Sequence, residues 1–238
     1  MRLHRFYIDK PIEKELKIDD KELLHQWVKV FRLKASDRVI VFNGGDSEYE
    51  GYFKILSKNE AVLVIDKEIK SLRQSASNPH SSASLELHIF QSIIKKDNFE
   101  FVVEKCTEIG VSGFHPIISE RSEKKNLNIE RLNKIAKEAS EQSGKIKLPE
   151  IFNVENLEKA TENFDGELFV LDFDGEDFKK VIDLSEKRKI GILIGPEGGW
   201  TDNEREFLKQ KNIKSVSFGA QILRAETAAI VSSALILF

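Results

Sequence analysis

The sequence predicts an α/β protein in two parts: a small β-rich domain, then a larger one built on a mainly parallel sheet. Three observations carry this. From residue 85 onward, short apolar runs alternate with segments of helical periodicity, the pattern of parallel strands joined by crossover helices. Residues 1–72 instead hold strand-like runs separated by turn signals, which suits a small sheet or barrel. Between them lies QSASNPHSSAS (74–84), whose Ser, Asn and Pro content reads as a linker. The domains are therefore placed at 1–72 and 85–238, with 73–84 joining them.

In the first part, VIVF (39–42) runs into the turn NGGD (43–46), and YEGYFKI (49–55) and AVLVI (61–65) follow as strands. One helix is predicted over 20–31, because Leu23, Leu24, Trp27, Val28 and Phe31 recur at helical spacing behind a capping Asp19 or Asp20. In the second part, 85–94 is a strand, and Asp97 is the expected cap of a helix that stops at Gly110. Residues 111–118 form the next strand. The helix 129–143 has Leu132, Ile135, Ala136 and Ala139 on one face and ends at Gly144. Strands follow at 167–172, 189–194 and 215–218, with helices at 201–210 and 225–238.

Composition narrows the function classes. A chain of 238 residues with 40% hydrophobic and 32% charged residues can bury a substantial core. Its one cysteine, Cys106, cannot close an intrachain disulfide, which fits a cytoplasmic protein. Cys106 lies among Phe101, Val102, Val103 and Ile109 and reads as core rather than nucleophile. The five histidines are scattered, so no metal is expected. The charged N-terminus is no secretory signal, and the apolar C-terminal run is too short to span a membrane. The motifs GxGxxG, GxxxxGK[ST] and GxSxG are all absent. A net charge of −3 leaves RNA contact to local basic groups: Arg2, His4 and Arg5, Lys95 and Lys96, and Arg121, Lys124, Lys125 and Arg131.

The most informative stretches are IGPEGGW (194–200) and FGAQILRAET (218–227), each after a short apolar strand and before a helix. Loops so rich in glycine let a backbone approach a ligand closely, and ligands in open α/β sheets sit outside the carboxyl ends of the strands. Thr201-Asp202-Asn203-Glu204 matches a capping box, which would aim a helix N-terminus at the first loop. Glu197, held between Pro196 and Gly198, reads either as a ligand contact or as an exposed turn residue. Arg224 and Glu226, the only charges from Gln221 to the end, either pair with each other or face a cleft. The residues alone thus point to a backbone-lined site for a nucleotide-like ligand.

IGPEGGWTDNERE (194–206) followed by FGAQILRAETAAIV (218–231) resembles the RsmE family, 16S rRNA uridine-N3 methyltransferases of the SPOUT class. KCTEIGVSGFHPIISERS (105–122), EASEQSGK (138–145) and RLHRFYI (2–8) extend the resemblance over nearly the whole chain. Departures are Gln221, where a basic residue is usual, Ala225, where threonine is usual, and the less basic Asn98-Phe99. The resemblance implies a PUA-like N-terminal barrel for RNA, a C-terminal domain with a trefoil knot, and a homodimer acting on 16S rRNA of the small ribosomal subunit. It also implies an S-adenosyl-L-methionine site lined by Leu171, Ile194, Gly195, Pro196, Gly198, Gly199, Phe218, Gly219, Ile222, Leu223, Arg224 and Thr227. RNA contacts are expected at Arg2, Arg5, Lys96, Arg121 and Lys124. Glu197 or Glu226 would take the proton from uracil N3, and Arg224 would partner the resulting anion. The alternative is an RNA-binding assembly factor that keeps the fold without the activity.

Overall fold

Phe6, Trp27 and Phe53 sit at the centre of the first of two units in the computed structural model, with ring centroids 5.6 Å (Phe6–Trp27) and 4.9 Å (Trp27–Phe53) apart. The structure describes residues 3–70, 85–122, 126–182 and 189–238. The expected linker (73–84) and the candidates Arg2 and Lys124 lie outside these. The first unit holds β1 (Arg5–Tyr7), β2 (Glu15–Ile18), β3 (Arg38–Phe42), β4 (Ser47–Leu56) and β5 (Ala61–Lys70), in the sheet order β1-β3-β4-β5-β2. Of the pairings among these five strands, β1–β3 is parallel and β3–β4, β4–β5 and β5–β2 are antiparallel. Strands β1 and β2, of 3 and 4 residues, are too short to show a period in the sequence.

The helix predicted over 20–31 is instead a short α1 (Lys21–His25) that widens into a π-helical turn, Gln26–Val30. Asp20 caps it, accepting from the Leu23 N–H at 2.9 Å. The widening shows in the Phe31 N–H, which donates to the Gln26 carbonyl at 2.9 Å, five residues back. Trp27, on this turn, is fully buried in the aromatic core.

The second unit contains β6 (Glu86–Ser92), α2 (Lys96–Ile109), β7 (Gly113–Ile118), α3 (Ile129–Ser143), β8 (Glu150–Ile151), β9 (Glu155–Asn156) and α4 (Leu157–Glu162). It continues with β10 (Glu167–Asp177), α5 (Phe178–Val181), β11 (Lys189–Ile194), α6 (Asp202–Gln210), β12 (Lys214–Ser217) and α7 (Ala225–Leu237). Its strands are parallel, in the order β12-β10-β11-β6-β7-β8, with β9 also on β7. Along β11, Ile190, Ile192 and Ile194 enter one core and Leu193 the other, which explains the unbroken apolar runs. Because β6, β10, β11 and β12 are parallel, their carboxyl ends share one edge of the sheet. From β12 at the sheet margin, the chain returns through α7 to pack on α2, β6 and β11. There Ser233 Oγ donates to Cys106 Sγ at 3.5 Å, and burial pushes the thiol up to about 12, so Cys106 is core.

Two expectations change. Asp97 does not cap α2: the cap position is Lys95, where the backbone is still extended, and Asp97 falls inside the first turn. The second domain is also not continuous, because Ser140–Lys147, the end of α3 with the short segment after it, cluster with the first unit. The Tyr7 N–H donates to Glu141 Oε1 at 3.0 Å, and Lys147 Nζ lies 3.5 Å from Asp46. Lone charges on a helix end reveal no such partners in the sequence.

On the opposite face of the sheet, His115 is stacked between Phe90 (4.0 Å) and Phe152 (3.9 Å), with its Nε2 3.0 Å from His88 Nδ1. Burial, then the neighbouring His88 and Lys189, push its pKa down from 6.5 to about 3. An unfolded chain takes up this proton near its ordinary pKa and the folded one does not. The stabilisation is therefore complete above about 6.5 and is lost as pH falls towards 3. Between pH 6.5 and 5, urea unfolding of the wild type should lose stability with a slope approaching about 1.4 kcal/mol per pH unit from this group. His115→Phe should flatten that slope; parallel slopes would remove the histidine from the account.

Candidate functional site

Trp200 shapes the first glycine loop. It is buried, and its indole Nε1 donates to the carbonyl of Leu171, the residue of β10 beside Ile194 of β11, at 3.0 Å. A Cβ on Gly195 would stand 3.2 Å from the indole, tighter than ordinary contact, so the bare glycine lets backbone and ring lie this close without either giving way. The Gly199 N–H then closes a turn on the Pro196 carbonyl at 2.8 Å. Helix α6 begins at the expected capping box: Thr201 Oγ1 accepts from the Glu204 N–H at 3.2 Å, and Glu204 Oε2 from the Thr201 N–H at 2.8 Å. The second oxygen of Glu204 accepts from the Glu120 N–H at 2.9 Å, and Arg121 Nη1 donates to the Gly198 carbonyl at 2.6 Å. The segment after β7 is thereby fastened to the loop from both sides.

The second loop leaves β12 at Ser217, whose Oγ donates to the Gly175 carbonyl at 2.8 Å. Phe218 packs on Phe178, with centroids 4.8 Å apart. Gly219 then adopts φ +83°, with open space where a Cβ would go. Gly219→Ala should cost about 1–2 kcal/mol through backbone conformation alone, since nothing obstructs the methyl group. An unfolding midpoint equal to the wild type's would mean that the loop relaxes freely.

Between these loops lies a cavity of about 600 Å³, at the carboxyl ends of β6, β10, β11 and β12. Of the residues singled out in the sequence, it brings together Leu171, Ile194, Gly195, Pro196, Glu197, Gly199, Phe218, Gly219, Ile222, Leu223, Arg224 and Glu226. Gly198 and Thr227 are not on its wall. Sequence reasoning missed Asp172, Phe173, Ser217, Asn98 and Ala228 as lining residues, and it took Lys95 only as a surface charge. Asp172 is held by Arg205, with Nε to Oδ2 at 2.6 Å and Nη2 to Oδ1 at 3.2 Å. These hydrogen bonds raise the guanidinium pKa further. The two residues stand 33 positions apart, so nothing local signals the pair.

The cavity wall carries both signs of charge: Lys95 and Arg224 against Asp172, Glu197 and Glu226. Of the two arrangements open for Arg224 and Glu226, the structure shows them facing the cleft; among the described residues no ion pair joins them. Glu226 lines the cavity, and among the described residues its Oε2 is buried without a hydrogen-bond partner. Glu197 is exposed at the mouth. The basic candidates scatter. Arg5 is only 13% exposed on its side chain, pairs with Glu48, and donates from Nη2 to the Gly144 carbonyl at 3.4 Å, an inward placement that the sequence does not indicate. Lys96 is exposed, 3.5 Å from Glu100. Arg121 is also exposed and holds Gly198.

The RNA methyltransferase domain family matches residues 81–237, and the RNA methyltransferase PUA domain matches residues 28–66. Ribosomal RNA small subunit methyltransferase E of Rickettsia conorii is 30% identical over 240 residues, spanning 98% of this chain and 95% of that protein. Two solved structures share the fold. A Legionella pneumophila protein solved in complex with S-adenosylmethionine superposes with a TM-score of 0.88 at 22% identity, covering 99% of this chain and 97% of its own. The Neisseria gonorrhoeae small subunit methyltransferase E bound to the same molecule gives 0.82 at 24% identity, with coverage of 99% and 97%. The first family alone accounts for well over half of the sequence, and the Rickettsia relative aligns over 98% of it. With the glycine loops meeting around one cavity as that resemblance requires, this chain belongs to the RsmE family of ribosomal RNA small subunit methyltransferases.

Proposed function

We propose that this protein transfers the methyl group of S-adenosylmethionine to N3 of a uridine in 16S rRNA of the small ribosomal subunit. The observation that carries the reading is the cavity framed by the two glycine loops. Its volume of about 600 Å³ is in the range of small-molecule sites. The close approach of Gly195 to Trp200 leaves main chain to form part of the wall. Leu171, Ile194, Phe218 and Leu223 supply apolar surface for an adenine ring, and the main chain of residues 195–199 and 218–224 supplies groups for its polar edge. S-adenosylmethionine, when bound, supplies an electrophilic methyl group. The protein's own task is to deprotonate and hold the acceptor.

Uracil N3 is paired in a duplex, so the base must be unpaired or flipped out to be reached. The nitrogen is weakly acidic, and its proton needs an acceptor. Glu226, on the cavity wall, takes that proton. Arg224, beside it at the start of α7, stabilises the negative charge that develops on the ring carbonyl oxygens. Glu197, at the mouth, is the less sheltered of the two carboxylates. A SPOUT-type trefoil knot is consistent with the return of the chain from β12 to α7. A PUA-like barrel suits the aromatic-centred first unit, and Arg2, Lys96, Arg121 and Lys124 remain its and its neighbour's RNA contacts. A cytoplasmic homodimer completes the reading: Phe101 of α2 and Leu235 and Phe238 at the end of α7 are exposed apolar residues fit for a second copy.

Two measurements test the proposal. Calorimetry should detect S-adenosylmethionine binding to the isolated protein, whereas a non-catalytic assembly factor gives no heat. Mass spectrometry of small-subunit rRNA from cells lacking the protein should show one 3-methyluridine missing. An unchanged methylation pattern would refute the assigned reaction.

A further inference from the structure

Leu171 and Glu176 of β10 both pair with Val216, so residues 172–175 leave the ladder as a bulge beside the cavity. Phe173 stands on this bulge, 61% exposed, and lines the cavity. An isolated exposed phenylalanine is ordinary surface. This one is mounted: the Arg205 guanidinium lies 5.2 Å from its ring centroid, and that guanidinium is itself fixed by the two-point grip of Asp172. The ring therefore has a charged, anchored backing. Ile222, on the second glycine loop, is 88% exposed and lines the same cavity. Among the described residues, these are the two cavity-lining apolar side chains that stay mostly in solvent. Side chains this exposed on a cavity wall are open to a group that arrives from solvent.

We infer that Phe173, backed by Arg205, is the stacking platform for the unpaired target base of the RNA, with Ile222 as the facing apolar wall. The inference rests on the proposed RNA methylation and adds the group that captures the acceptor. Aromatic side chains take up unstacked RNA bases through their π faces. The guanidinium against one face of the ring holds the ring in place and leaves the other face for a base, and Asp172 keeps the guanidinium from drifting to RNA phosphates. Asp172 and Arg205 are then positioning residues, while Phe173 touches the base.

The test compares wild type, Phe173→Ala and Phe173→Trp. Donor affinity is read by calorimetry with S-adenosylmethionine, and transfer of labelled methyl to small ribosomal subunits from cells lacking the protein is followed as a function of subunit concentration. Phe173→Ala should raise KM for the subunit by about five-fold or more, the low end of single-base stacking. Its donor affinity should match the wild type's, and Phe173→Trp should restore KM. Equal KM values for wild type and Phe173→Ala overturn the inference while leaving the methyltransferase reading intact. A loss confined to donor affinity also overturns it, since the ring would then stack on the donor's adenine. A wild type that transfers no label overturns the proposed reaction and this inference with it.

Discussion

Trp200→Ala is expected to lower the unfolding free energy by about 3–5 kcal/mol, the usual cost of emptying a buried aromatic site. Trp200 is 1% exposed and packs in one cluster with Phe90, Ile117, Leu193 and Leu208. The same change removes the hydrogen bond to the Leu171 carbonyl and the surface on which Gly195 rests. Both attachments set the cavity wall, so donor binding should be lost even at temperatures where the variant stays folded. Trp200→Phe separates the two effects. It keeps most of the apolar volume and forfeits the indole N–H with its hydrogen bond to the Leu171 carbonyl, a net loss of about 0.5–1.5 kcal/mol. Urea unfolding gives the stabilities and calorimetry the donor affinities. If Trp200→Ala were as stable as wild type, the ring would not be the support described.

Glu226→Gln should reduce kcat by about 100-fold or more, the lower range for a positioned general base, with donor affinity preserved. The amide keeps the size and hydrogen-bonding capacity of the side chain at the start of α7 but cannot receive a proton. Its carboxylate oxygen is buried and unpartnered, whereas Glu197 is exposed at the mouth. Glu197→Gln should therefore cost less than Glu226→Gln. Single-turnover methyl transfer to small ribosomal subunits provides the rate. Full turnover in Glu226→Gln would exclude it as the proton acceptor and return that role to Glu197.

Local chemistry is legible in the sequence. The capping box at Thr201–Glu204, the stop at Gly144 and the apolar period of 129–143 each involve residues within a few positions of one another. The two loops can be located for the same reason, since their glycines betray special backbone. The misread cap at Asp97 and the π-helical turn after His25 are places where tertiary packing chose between nearly equivalent local options.

By itself, then, the sequence determined the alternation of strands and helices, the positions of the two loops and the family to which they belong. The tertiary structure alone decided that β11 enters between β10 and β6, that Arg205 grips Asp172 and supports Phe173, and that Glu226 lies on the cavity wall. Periodicity and caps are properties of neighbours along the chain. Those three facts are properties of neighbours across the sheet, and strand order brings them together only after the chain has folded.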